Sequence, residues 1–194
     1  MRRVGARCIG RWLLAVTAAG LACACSSGDA RPALSLDELR TAGDTCPVDL
    51  ASSGLAPDGA DDVEVDVVEG SPPGPEDSSI ISQQVGVWVE CTVPVDDGGN
   101  VTAVVFASER PGAITLVLPH AHRLLRLAAD DLDRVLADFE DADARELVDL
   151  GAEGPVAIAR LDVDGAESAV LYVAAPSSAP DDVRHAAEQI LDEL

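Results

Sequence analysis

The chain has 194 residues, enough for one domain with a proper core, and 47% of them are hydrophobic, too many for a disordered polymer. Its formal charge is −22; every basic residue is Arg, and from Cys25 onward nine Arg face 35 acids, a charge of −26. Such a surface cannot neutralise phosphates, which excludes nucleic acid as a partner, and it is repelled by anionic lipid headgroups.

The first element is an N-terminal segment. Arg2, Arg3, Arg7 and Arg11 make a basic stretch, and Trp12–Ala24 follows with thirteen uncharged residues. That run is short of the roughly 20 apolar residues of a transmembrane helix and suits the apolar region of a signal peptide. Its end, Gly20-Leu21-Ala22-Cys23-Ala24-Cys25-Ser26-Ser27-Gly28, resembles the lipobox of bacterial lipoproteins. The resemblance implies export, cleavage and lipidation of a Cys that becomes the first residue. Cys25, between Ala24 and a Ser/Gly tether, is the favoured site, and Cys23 is the alternative. A plain secretory leader with incidental cysteines is the competing reading. The expected organisation is a leader at 1–24, lipidated Cys25 with a tether to residue 34, and one extracytoplasmic domain at 35–194. The lipidated family carries at least two acyl chains, which hold a protein stably where one does not. The membrane is then a partner through a covalent anchor. The final Leu191-Asp192-Glu193-Leu194 lacks the Lys or His of an ER-retention signal and reads as a helix end.

Cys8 falls in the leader and Cys23 and Cys25 at its cleavage site, which leaves Cys46 and Cys91 in the domain. An oxidising compartment favours a disulfide between them. A redox or metal pair is the other reading, but neither a Cys-x-x-Cys nor a four-ligand zinc spacing is present.

Within the domain, Ser35-Leu-Asp-Glu38 matches a capping box and predicts a helix over about 35–42, ended by Gly43, with Leu36 and Leu39 inward. Val63, Val65 and Val67 alternate with acids and predict a half-buried strand. Residues 69–79, rich in Pro, Gly and Ser, read as a surface loop. The next strand carries Val85, Val87, Val89, Cys91, Val93 and Val95 on one face and Trp88, Glu90 and Thr92 on the other. Asp96–Asn100 is a hairpin turn signal leading to a strand at about 101–108, and Pro111-Gly112 turns into another at 113–118. Leu125, Ala128, Leu132, Val135, Leu136 and Phe139 predict one helix over about 120–140. Strands at about 155–163 and 167–174 are joined through Asp164-Gly165, read as a two-residue turn. Pro180-Asp181-Asp182 opens a last helix with Val183, Ala187, Ile190 and Leu194 inward. The sum is an α+β fold: an antiparallel sheet of five to six strands, with two to three helices on one side and one disulfide.

The lysine-free, Ala/Asp/Val/Gly-rich composition is that of a GC-rich, actinobacterial kind of coding sequence. The last two-thirds resembles a family of actinobacterial secreted lipoproteins of unknown function, through Cys46, Trp88 with Cys91, and Leu150-Gly151-Ala152. Trp88 precedes the Cys where that family has it following, and Gly154-Pro155 interrupts the late segment. The resemblance implies the fold and the disulfide; the family has no established activity to transfer.

Chemistry is sparse. His120 and His122 would offer two imidazoles to a transition metal if the segment were extended, with His185 a third; the alternative is polar residues at a helix start. Acids cluster at Asp61-Asp62-Glu64-Asp66, Asp130-Asp131-Asp133 and Glu140-Asp141-Asp143, and Asp162-x-Asp164-Gly165 has only the first pieces of a calcium loop, so these read as solvated faces. No G-x-S-x-G, P-loop or H-E-x-x-H occurs. No catalytic residue, metal or cofactor is expected. Trp88, on the strand face opposite the valines, is either an exposed contact point or core under a helix. The leading expectation is a non-catalytic, surface-tethered binding or interaction module meeting another envelope protein; the alternative is a carrier of a small apolar ligand between sheet and helices.

Overall fold

The computed structural model describes residues 34–56, 63–70, 85–95, 99–151 and 153–194. The expected leader, both candidate anchor cysteines and the expected tether up to residue 33 lie outside the described residues, as do most of the expected loop at 69–79, residues 96–98 of the expected hairpin turn, and Ala152.

The elements are α1 (Leu36–Arg40), β1 (Glu64–Gly70), β2 (Gly86–Pro94), β3 (Asn100–Ser108), α2 (Ile114–Leu125), α3 (Ala129–Asp141), β4 (Val156–Leu161), β5 (Ser168–Ala174) and α4 (Pro180–Glu193). The five strands form one antiparallel sheet in the order β1-β2-β3-β5-β4. The fold is α+β, as expected, with five strands. Three of its details differ from expectation.

The helices cover both faces of the sheet, not one. On the first face α1 and α4 bury Leu36, Leu39, Val183, Ala187 and Ile190 against Val87, Val89, Cys91, Ala103, Val105, Leu171 and Val173. On the second, α2 and α3 bury Ile114, Val117, Leu118, Ala121, Val135 and Phe139 against Trp88, Phe106, Ile158, Val170 and Tyr172. The period-two alternation of β2 through β5 is apolar on both sides, which is what a sheet covered twice requires.

The expected strand at 113–118 and helix at 120–140 are two helices broken elsewhere. Ile114, Thr115 and Val117 favour a strand by their branching, and Pro119 reads as a stop. Yet Ile114, Val117, Leu118 and Ala121 fall at i, i+3, i+4 and i+7 and all are buried, so the helical face wins. Pro119 sits inside α2, where it withholds one backbone donor from the carbonyl of exposed Thr115, which water can reach. The break comes at Arg126, left-handed at φ 53°, whose N–H donates to the His122 carbonyl at 2.8 Å. α3 then starts with the Ala128 N–H donating to the Asp131 carboxylate at 3.3 Å. At its far end Arg160 of β4 donates to the carbonyls of Glu140 and Ala142, both at 2.9 Å, closing α3 with a cation where the helix dipole favours one.

The Asp164-Gly165 connection is longer than a two-residue turn. β4 ends at Leu161 and β5 begins at Ser168, which leaves six residues between the strands. Gly165 takes φ +82°, and the Asp164 backbone is engaged by the start of α1: its N–H donates to the Leu34 carbonyl and its carbonyl accepts from Leu36, both at 2.9 Å.

The expected cap of α1 and the disulfide are present. Ser35 and Glu38 form the reciprocal capping box of α1. Cys46 and Cys91 are bonded, with Cα atoms 5.8 Å apart and Cys91 buried among the valines. This staples the chain after α1 to the middle of β2. Arg40 at the end of α1 reaches Glu69 (3.1 Å) and Glu109 (2.6 Å), tying the helix to β1 and to the chain after β3. Of the sheet's two edges, β4 is covered: Arg145 and Val148 donate to the Arg160 and Ile158 carbonyls at 2.7 and 2.8 Å. β1 is paired to β2 alone among the described residues.

Candidate functional site

The second face of the sheet carries a cleft at the end α2 leaves uncovered. Its floor is a set of cross-strand rows. Trp88 pairs with Phe106, and Phe106 with Val170; one row on, Glu90 pairs with Val104, and Val104 with Tyr172; beyond it Thr102 pairs with Ala174. With strands about 4.8 Å apart, Glu90 and Tyr172 stand roughly 10 Å from each other on either side of Val104. Val117, His120 and Leu124 of α2 form the opposite wall, and Asn100 and Pro176 close the ends. The cleft holds about 380 Å³, within the range of small-ligand sites.

Trp88 is only 5% exposed, so it is not the freely exposed contact allowed by the strand pattern. It is packed against Phe106 (ring centroids 6.1 Å) because α2 covers this face of the sheet, and it still lines the cleft. Its indole N–H donates to the Glu90 carboxylate at 3.2 Å. His120 stands over it with ring centroids 5.9 Å apart and meets Tyr172 edge-on at 6.3 Å. The Arg123 guanidinium lies 3.1 Å from His120 Nδ1. Arg can only donate, so Nδ1 must accept, and the neutral imidazole carries its proton on Nε2. Burial first, and then the Arg123 charge, lower the His120 pKa from its ordinary value of 6.5. Burial pushes the Tyr172 phenol up to about 12.

Two polar groups of the cleft are unspent. The Tyr172 hydroxyl, on a residue 5% exposed, has no hydrogen-bond partner among the described residues. Half-buried Glu90 accepts the indole N–H but faces no cation within 4 Å among them. The ring of Tyr172 is buried while its oxygen stays open to the cleft, where water or a ligand can supply the partner the protein does not.

The metal reading of the histidines fails on geometry. His120 and His122 lie on helix α2, two residues and thus about 200° apart around the axis, so they point to different sides. His185 is on α4, on the other face of the sheet. No group of three or more metal-ligating side chains exists among the described residues. The acids of α3 lie largely on its solvent face, where Asp131 pairs with Arg134 at 3.2 Å. Leu150 is buried in the second core, and Gly151 takes φ +65° with the Arg134 guanidinium packed where a Cβ would go, so this segment is structural. No helix among the described residues is long and apolar enough to cross a membrane.

Sequence reasoning singled out Trp88 but missed Glu90, His120 and Tyr172 as its companions. The signal was there for Glu90, which shares the Trp88 face of β2 at i+2. Tyr172 required the strand order, and His120 required α2 to be a helix. No protein family, curated protein or solved structure matches this chain.

Proposed function

We propose that the protein is a non-catalytic binding module of the bacterial cell envelope, held on the outer face of the membrane by a lipid on Cys25 and making its contacts through the Trp88 cleft. The observation that carries the binding role is an aromatic-lined cleft of about 380 Å³ into which the otherwise buried Tyr172 presents a hydroxyl that no described protein group engages. A carrier holding its ligand between sheet and helices has less support, since both layers are filled with interlocking side chains that a ligand would have to displace. Support for the anchor is the basic stretch, the short apolar run and the Ala24-Cys25-Ser26-Ser27 sequence.

Trp12 and Trp88 are the two tryptophans of the chain, so a domain beginning at residue 26 reports on the cleft alone through its fluorescence. Native mass spectrometry of that domain, followed by titration with neutral, anionic and cationic small molecules, tests the binding role. A co-purifying molecule, or a saturable change in Trp88 emission with any class, is the expected result; silence from all three overturns it. For the anchor, the full chain is expressed with an alkyne fatty acid. Label that survives Cys23→Ala and vanishes with Cys25→Ala is expected; loss with Cys23→Ala moves the site, and no label at all removes the anchor.

A further inference from the structure

We propose that the Trp88 cleft selects a small organic cation, an alkylammonium group on a body of a few carbons. This rests on the reading of the cleft as the contact site and adds the charge and class of its ligand.

Four observations converge. The cleft presents three rings, Trp88, Tyr172 and His120, with neighbouring centroids 5.9 and 6.3 Å apart. Aromatic faces attract a cation through their quadrupole, and an alkylammonium loses less hydration than a metal ion when it sits among them. Next, the carboxylates are unneutralised. Glu90 lines the cleft, and across the strand pair Asp66 of β1 stands directly opposite it. Like charges in register across a sheet repel, and neither has an ion-pair partner among the described residues. A bound cation relieves both the repulsion and the uncompensated charge. Third, the Tyr172 hydroxyl is free to accept from an ammonium N–H or to meet the polar end of the ligand body. Finally, a domain with a charge of −26 raises the local concentration of any cation.

The opposing feature is Arg123. It is exposed, is not part of the cleft lining and is engaged with His120 Nδ1, which keeps the ring a neutral wall instead of a second cation. An anion would meet Glu90 and Asp66 with no cationic donor in the lining, since every polar group there other than Glu90 is uncharged or the neutral imidazole. A neutral apolar body would gain the rings but leave the carboxylates as they are.

The test is a matched pair of probes on the disulfide-bonded domain from residue 26: choline and its uncharged isostere 3,3-dimethylbutan-1-ol, followed by Trp88 emission and by calorimetry. Choline is expected to bind at least about tenfold more tightly than the alcohol, the scale of a cation–π contact in a partly desolvated site. Glu90→Gln, which keeps an oxygen for the indole N–H, is expected to erase most of that preference. Asp66→Asn, on exposed β1, is expected to weaken choline in the same direction with little effect on folding. Equal binding of the two probes overturns the cation and leaves the binding module standing. Failure of both probes overturns the cation as well, and the module falls with it only if the neutral and anionic compounds are silent too.

Discussion

The two faces of the sheet are built from different material. The α1/α4 face is wholly aliphatic, a continuous layer of Val, Ala, Leu and Ile with the Cys46–Cys91 bond at one side. The α2/α3 face collects every aromatic side chain of the described residues: Trp88, Phe106, Phe139 and Tyr172. Small branched side chains interlock densely and leave no room for function. Larger rings, under a helix that stops short of the sheet end, leave a cleft with polar edges. One face is thus packed throughout, and the other holds the cleft proposed as the contact site.

The sharpest way to break this division is the disulfide. Cys46→Ser with Cys91→Ala removes a link across 45 residues, expected to cost about 4 kcal/mol in denaturant unfolding. Because the bond lies on the aliphatic face, Trp88 emission in the folded double variant is expected to be unchanged; a shifted spectrum would mean the faces are coupled. A matched pair of core truncations sharpens the contrast. Phe106→Ala and Leu171→Ala empty sites that are each 1% exposed on opposite faces, with losses of about 4 and 3 kcal/mol respectively. The first is expected to shift Trp88 emission, since its ring lies 6.1 Å away, and the second is not. Ser35→Ala removes the α1 cap for about 1 kcal/mol, confined to the aliphatic side.

The smallest effects are titrations, and they belong to the aromatic face. The chain has a single tyrosine, so an absorbance titration reports Tyr172 alone, with a midpoint expected near 12. A midpoint at the ordinary 10 would show the cleft open to water. The folded phenol prefers its neutral form; the stability linked to that preference is complete below 10 and is lost as pH rises through 12. For His120 the sign is opposite. Its folded pKa lies below 6.5, so as pH falls through 6.5 the unfolded chain takes up a proton that the folded one resists, and stability declines. His120→Gln is expected to have a flatter stability profile than the parent between about pH 7 and pH 5. A parallel profile would place His120 in ordinary solvent.

What the sequence disclosed follows from the range of the forces involved. The capping box, the alternation of β2, the strand–turn–strand at Asp96–Asn100 and the Pro180 helix start are local, and each was legible. The disulfide followed from counting cysteines. The α2/α3 region was not legible, because the branched residues and Pro119 argue locally for a strand and a stop, whereas burial of Ile114 and Val117 against the sheet decides otherwise. The left-handed break at Arg126 involves neither Gly nor Pro and left no mark. The cleft was half legible: Trp88 and Glu90 share a strand face, but their meeting with Tyr172 depends on β5 inserting beside β3, a long-range pairing.

The edge strand β1 would have a consequence for molecules crowded on one membrane by the proposed anchor. A strand paired on a single side invites a second copy to add to the sheet, and tethering many copies to a surface raises the odds of such encounters. Glu64, Asp66 and Glu69 are exposed along that strand, so two copies meeting there would bring six carboxylates together before forming a hydrogen bond. The acidity that draws cations to the cleft would also keep neighbouring copies apart, and dense display becomes compatible with a monomeric protein.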